Sequence, residues 1–141
     1  MNIYVASSWR NNYQPAVVER LRSEGHTVYD FKQPKPGDNG FHWSDIDPDW
    51  KNWDGARFRD ALNHPIAIGG FNSDMNALMA CDACVLVLPC GRSAHLELGW
   101  ACGAGKKTAV LLEGQNEPEL MYRMLSLVCV NLDEVVAFLK T

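Results

Sequence analysis

"ACVLVLPCGRSAHLELGWACGAGKKTAVLLE", residues 83–113, decides the fold. Residues 83–89 are an unbroken apolar run, and residues 108–113, "TAVLLE", are nearly another. Short apolar runs without polar alternation mark strands buried on both faces, as in a parallel sheet. Between them, residues 93–104 carry apolar and small side chains at helical spacing, with Ser93 the expected N-cap and Gly105 the stop. Strand, helix and strand in this order make a βαβ unit. Gly99 and Gly103, one helical turn apart, are expected to let the helix approach a strand closely.

The alternation continues on both sides. "NIYVAS" (2–7) reads as a first strand, and "QPAVVERLRSEGH" (14–26) as a helix with Pro15 in its first turn and Gly25 at its end. "TVYDF" (27–31) is a second strand. "ARFRDALN" (56–63) is a short helix stopped at His64 and Pro65, and "NSDMNALMACD" (72–82) another, with Asn72 or Ser73 as cap. Downstream, "PELMYRMLS" (118–126) reads as helical, "LVCV" (127–130) as the fifth strand and "LDEVVAFLK" (132–140) as a closing helix. The expected fold is α/β, a flavodoxin-like doubly wound domain over residues 1–141 with a five-stranded parallel sheet between two helical layers. Residues 32–55, rich in Pro, Gly, Asp and Trp, are expected as a loop insertion in one crossover. A connection this long in a compact domain is usually functional. Its Trp43, Trp50 and Trp53 form an aromatic lid that stacks on a flat base, pack the loop on the body of the domain, or make a dimer contact.

Composition narrows the partners. With 47% hydrophobic and 21% charged residues, the chain has the balance of a folded domain rather than a disordered one. Net charge is -4 and the 13 Lys and Arg form no block, which argues against a nucleic-acid polymer as partner. A small anion needs only two or three donors and stays open. No apolar run reaches the roughly 20 residues that span a bilayer, so no membrane is expected. The start has no export signal, which implies a cytoplasmic chain with reduced thiols. "CDAC" (81–84) straddles a helix end and a strand, so its cysteines are expected as small buried hydrophobes. His42, His64 and His95 lie in separate segments without ligand spacing, and no metal is expected.

Ligands of open parallel sheets bind beyond the C-terminal strand ends, where strand order reverses. Three segments fall there, those after residues 2–6, 83–89 and 108–112, and polar residues concentrate in the first two. In "SSWRNN" (7–12), Ser7, Ser8, Trp9 and Arg10 offer either an anion seat or merely a capped loop with a solvated arginine. In "PCGRSAH" (89–95), Gly91, Arg92, Ser93 and His95 lead into Glu97. That glutamate is either a solvated carboxylate favoured by the helix dipole or a group aimed into a site. Asp74 has the same two readings. Two carboxylates at one cleft suit nucleophilic and acid/base work at an anomeric carbon.

"HLELGWACGAGKKTAVLL" (95–112) resembles the nucleophile motif of the nucleoside 2-deoxyribosyltransferases and their relatives, the 2'-deoxynucleoside 5'-phosphate N-hydrolases. "FNSDMNALMACDACVLVLP" (71–89) resembles the segment with that family's second carboxylate, and "YVASSWRNN" (4–12) its first-strand loop. The resemblance implies Glu97 as nucleophile, Asp74 as the sugar-orienting or base-protonating acid, and Ser8 and Arg10 at a 5'-phosphate. It also implies a homodimer or higher homo-oligomer in which a neighbouring subunit lends residues near "PELMYRMLS", with Ser126 the candidate. No cofactor is implied. One departure stands out: six residues before the nucleophile, where transferases carry aspartate and monophosphate hydrolases serine, this chain has Gly91, followed by Arg92 and Ser93 as alternative phosphate donors. Three readings follow: an N-glycosidase for a nucleoside or nucleotide, a deoxyribosyltransferase or NAD-type glycohydrolase, and a nucleotide-binding domain without turnover.

Overall fold

Strands Asn2–Ala6 (β1), Thr27–Asp30 (β2), Ala83–Val87 (β3), Lys107–Leu111 (β4) and Leu127–Cys129 (β5) form one sheet in the computed structural model, which describes residues 1–141. All neighbours are parallel and the order is β2-β1-β3-β4-β5, the flavodoxin-like order expected. The order reverses between β1 and β3, so the crevice at their C-terminal ends is where such a sheet receives a ligand.

The chain divides into two compact units, Met1–Asp30 with Leu78–Thr141, and Phe31–Ala77. The whole sheet belongs to the first. On one face, Ile3, Val5, Val85, Val87 and Leu111 pack against helices Gln14–Ser23 (α1) and Leu132–Leu139 (α5). These helices present Val17, Val18 and Leu21, and Val135, Val136 and Leu139, at i, i+3 and i+4 spacings that make one apolar stripe. Pro15 sits in the first turn of α1, and Gly25 turns the chain away at φ 92. The other face carries Tyr4 opposite Tyr29 and Cys84, and is covered by helix Arg92–Gly103 (α4). Cys81 and Cys84 are free and buried.

The second unit holds two 3-10 turns, Trp43–Asp45 and Trp50–Asn52, then helix Gly55–Ala61 (α2) and most of helix Pro65–Ala80 (α3). Trp43 is the hub of its interior: its ring lies 4.7 Å from Phe41, 5.8 Å from Trp53 and 5.8 Å from Phe58. The Trp53 indole N–H donates to Asp47 Oδ2 at 2.7 Å, and Arg57 stacks 4.9 Å over the same ring. Trp43 and Trp53 therefore pack within their own unit. A segment without a sheet needs such large rings to bury enough apolar area.

Four expectations are corrected. The short helix α2 does end ahead of His64, at Ala61, but the next helix, expected from residue 72, already begins at Pro65, because proline is well placed at a first helical position. The His64 Nδ1 accepts the Ile66 N–H at 3.1 Å, so Asn72 and Ser73 are interior residues and not caps. Residues 118–126 yield only a 3-10 turn at Leu120–Met124 instead of a helix. A Cβ added at Gly99 or Gly103 would meet nothing within 4 Å, so neither glycine serves a close approach.

Candidate active site

α4 starts at Arg92, one residue earlier than expected, with Gly91 as N-cap and no side-chain cap. Ser93 is therefore inside the first turn, and Glu97 lies in the second. The buried residues of α4 are Ala94, Leu98 and Ala101. Glu97 completes their i, i+3, i+4, i+7 stripe, so its side chain leaves the helix on the face turned to the sheet. Its neighbours Leu96 and Trp100 point the other way, 75% and 39% exposed. Hydrophobic residues outside and a carboxylate inside invert the usual arrangement of a surface helix.

What meets Glu97 is Tyr4, 93 residues away in sequence, in the middle of β1. The Tyr4 hydroxyl donates to Glu97 Oε2. Tyr4 is fully buried and its ring stacks on Tyr29 at 5.2 Å, so the phenol is held in place. Donation to the carboxylate favours its ionised form, but burial opposes ionisation and dominates. The Glu97 carboxyl is pushed up from 4.5 to about 7. A carboxyl with a value near neutrality, at the switch of strand order, is a candidate functional group. Sequence reasoning missed Tyr4. Its signal was a phenol within an otherwise aliphatic strand, since a buried Tyr hydroxyl needs a partner.

Above this pair lie the loops after β1 and β3. They are stitched together by Ser7 Oγ, which donates to the Val87 carbonyl at 2.8 Å, and by buried Asn11, whose Nδ2 donates to the carbonyls of Val87 and Pro89 at 3.2 and 3.1 Å. The Asn11 Oδ1 accepts the N–H groups of Tyr13 and Gln14 and so caps α1. This is a second residue the sequence reading missed, and it fills donors assigned there to an anion. Ser8 Oγ accepts the Arg10 N–H at 3.2 Å, while Trp9 and Arg10 are exposed. Arg92 and Ser93 are exposed at the uncapped start of α4.

His95 is engaged on both ring nitrogens. Nδ1 faces the Gly91 carbonyl at 2.9 Å and must carry the proton, because a carbonyl only accepts; Nε2 then accepts from the Tyr122 hydroxyl at 2.8 Å. His95 thus ties the start of α4 to the 3-10 turn at Leu120–Met124. Ser126 lies elsewhere in its own chain: its Oγ accepts the Thr108 N–H at 3.0 Å, near the start of β4 and away from the C-terminal strand ends.

Asp74 belongs to the second unit. There it lines a pocket of about 200 Å³ between the 34–45 segment and one face of α3. The first unit thus brings together Ser7, Ser8, Arg10, Gly91, Arg92, Ser93, His95 and Glu97 on two adjoining loops and the helix below them. No group of three or more His, Cys, Asp or Glu residues is arranged to hold a metal ion. No helix is long and apolar enough to cross a membrane.

Neither a family model nor a curated protein sequence matches the chain. Solved structures do. A 2-deoxyribosyltransferase from Bacillus psychrosaccharolyticus superposes with a TM-score of 0.65 at 18% identity, over 95% of this chain and 89% of that one. A CMP N-glycosidase from Clostridium botulinum superposes with a TM-score of 0.51 at 16% identity, over 99% of this chain and 98% of that one. Identity this low speaks for architecture alone. The chain has a flavodoxin-like fold similar to those of a 2-deoxyribosyltransferase and a CMP N-glycosidase.

Proposed function

We propose that the protein cleaves the N-glycosidic bond of a nucleoside 5'-monophosphate or nucleoside, ribo or deoxyribo, with Glu97 as nucleophile. One observation carries the reading: a carboxylate within the sheet-facing stripe of α4, held by the buried Tyr4 hydroxyl at the switch of strand order. Ionised Glu97 attacks the anomeric carbon as the base departs, giving a ribosyl ester that water then resolves. The Tyr4 O–H steadies the carboxylate and fixes its orientation. Asp74 is assigned to orient the sugar or to protonate the departing base, and Ser8, Arg10, Arg92 and Ser93 to the phosphate. Gly91 in place of an acidic residue favours hydrolysis over transfer, since no carboxylate there greets a free sugar hydroxyl.

The protein is further proposed to act as a homo-oligomer in the cytoplasm. Leu96 and Trp100 on α4, with Leu120, Met121 and Met124 on the turn tied to it through His95, leave apolar side chains in water. A single-chain surface seldom keeps such a group uncovered.

The test is free-base release from ribo- and deoxyribonucleoside 5'-monophosphates, free nucleosides and NAD, run beside Glu97→Gln. Release that disappears in the variant supports the reading. Release only when a second base is supplied makes the protein a transferase. Binding without any release leaves a nucleotide-binding domain.

A further inference from the structure

The groups assigned above to the phosphate stand on two loops: Ser8 and Arg10 follow β1, and Arg92 and Ser93 begin α4. What fixes one loop against the other is a buried amide. Asn11 is 2% exposed, and its partners identify each of its side-chain atoms. Backbone carbonyls only accept, so the atom facing those of Val87 and Pro89 at 3.2 and 3.1 Å is Nδ2. Backbone N–H groups only donate, so the atom facing those of Tyr13 and Gln14 at 2.8 and 3.0 Å is Oδ1. Two donors and two lone pairs are thereby engaged within the chain, and Asn11 acts on a substrate only through what it holds.

This double duty explains the residue type. A cap for α1 alone would be served as well by Ser or Asp. Neither replaces the amide between the loops: a carboxylate would set oxygen against two carbonyl oxygens, and a serine hydroxyl has one proton and a shorter reach. The network continues through fully buried Gln14, whose Nε2 donates to Asp30 Oδ1 at 2.8 Å, at the end of β2. Two amides on the segment after β1 thus tie the ends of β2 and β3 together.

The tip that carries Ser8 and Arg10 is bracketed by this arrangement. On one side Ser7 Oγ donates to the Val87 carbonyl at 2.8 Å; on the other, Asn11 reaches the same carbonyl and that of Pro89. Inside the bracket, the Asn11 N–H donates to the Ser8 carbonyl at 3.0 Å and the Arg10 N–H to Ser8 Oγ at 3.2 Å. Both anchors land on the strand end from which α4 and Glu97 spring, all within the first compact unit. We infer that Asn11 is a positioning residue: it sets the register between the Ser8–Arg10 tip and α4, and so between the phosphate of the substrate and its anomeric carbon. The inference rests on the proposed nucleotide reading and adds to it the group that makes the phosphate count in turnover.

The experiment compares CMP, UMP, AMP, GMP and their deoxy counterparts with the matching free nucleosides. Base release is measured on the unmodified chain, Asn11→Ser, Arg10→Ala and the double variant, and affinity by calorimetry on Glu97→Gln with and without Asn11→Ser. Serine keeps an acceptor for the first turn of α1 and loses the bridge. Asn11→Ser should lower kcat/KM for the preferred monophosphate by about tenfold to a hundredfold, the scale of a misplacement of about 1 Å, and far less for its nucleoside. In the Arg10→Ala background the same substitution should cost little more, because residues that act through one contact are not additive. Ser7→Ala, which removes the other anchor, should give the same substrate pattern at smaller size, and it decides the question if Asn11→Ser does not fold. Equal losses for monophosphate and nucleoside, additive with Arg10→Ala, overturn the inference, reduce Asn11 to a cap and leave the proposed function standing. So does an unmodified chain that acts on nucleosides as fast as on their monophosphates. If no base is released but Asn11→Ser narrows the affinity gap between monophosphate and nucleoside, the proposed function falls and the inference stands. No binding of any of these compounds overturns both.

Discussion

The two compact units solve burial in opposite ways. The first is built on regularity: five parallel strands whose aliphatic side chains are covered by amphipathic helices, so that Val, Ile, Leu and Ala suffice. The second has no strand, and its interior is Trp43 ringed by Phe41, Trp53 and Phe58. The difference teaches where exceptions carry meaning. In a regular apolar frame a single polar group such as Glu97 is costly and conspicuous, whereas in an irregular aromatic cluster many polar groups are local ties, as the Trp53–Asp47 bond is.

The largest expected effect tests that exception. Glu97→Gln should reduce base release by roughly 10⁴-fold or more, as loss of a nucleophile does. The same substitution should change stability with a definite sign. Because the folded-state value of Glu97 is raised, the stability it contributes is full below its ordinary 4.5 and is lost as pH rises to about 7. Denaturant titration should therefore show the unmodified chain weakening across this window more than the variant. Base release should rise over the approach to about pH 7, as the nucleophile ionises.

Next in size are the two interiors. Leu86→Ala, at a fully buried position of β3, should destabilise by about 2–5 kcal/mol and lower the global unfolding midpoint. Trp43→Ala should instead raise amide exchange within residues 31–77 while β1, β3 and β4 keep their protection. Equal loss of protection in both units would break the contrast drawn between them. Tyr4→Phe comes third. It removes a hydrogen bond to a charged group, so base release should fall about tenfold to a hundredfold. The pH midpoint should move upward, because the lost donor favoured the ionised carboxylate. The smallest effect is a pair of glycines. Gly99→Ala places a methyl in open space and should stabilise by up to about 1 kcal/mol, while Gly70→Ala strikes Phe41 and should destabilise by about 1–3 kcal/mol. Thermal melts of both variants check the opposite signs.

Much of the frame was legible before any coordinates. The apolar runs at 83–89 and 108–113 could be little other than buried parallel strands; β3 lies within the first, and β4 overlaps the second, starting one residue earlier at Lys107. The loops after β1 and β3 could be placed at the C-terminal ends of the strands for the same reason, since strand order fixes where the crevice opens. Less legible was α3, because a proline after His64 reads equally as a stop and as a first helical residue. The direction of Glu97 was not legible at all. Leu96, Leu98 and Trp100 are all apolar, so hydrophobic spacing did not say which side of α4 faced the sheet. Tyr4, and Asn11 as a bridge between loops, were hidden because the carboxylate and carbonyls they donate to lie 76 to 93 residues away.

The sequence by itself determined the succession of strands and helices, the parallel sheet and the loops at its ligand-binding end, because these follow from apolar periodicity and local turn chemistry. Only the tertiary structure decided that Glu97 turns inward onto Tyr4, that Asn11 caps α1 while bridging two loops, and that the tryptophans form an interior. Each of these depends on which distant group removes water from a side chain, and desolvation is a property of the folded neighbourhood rather than of local spacing.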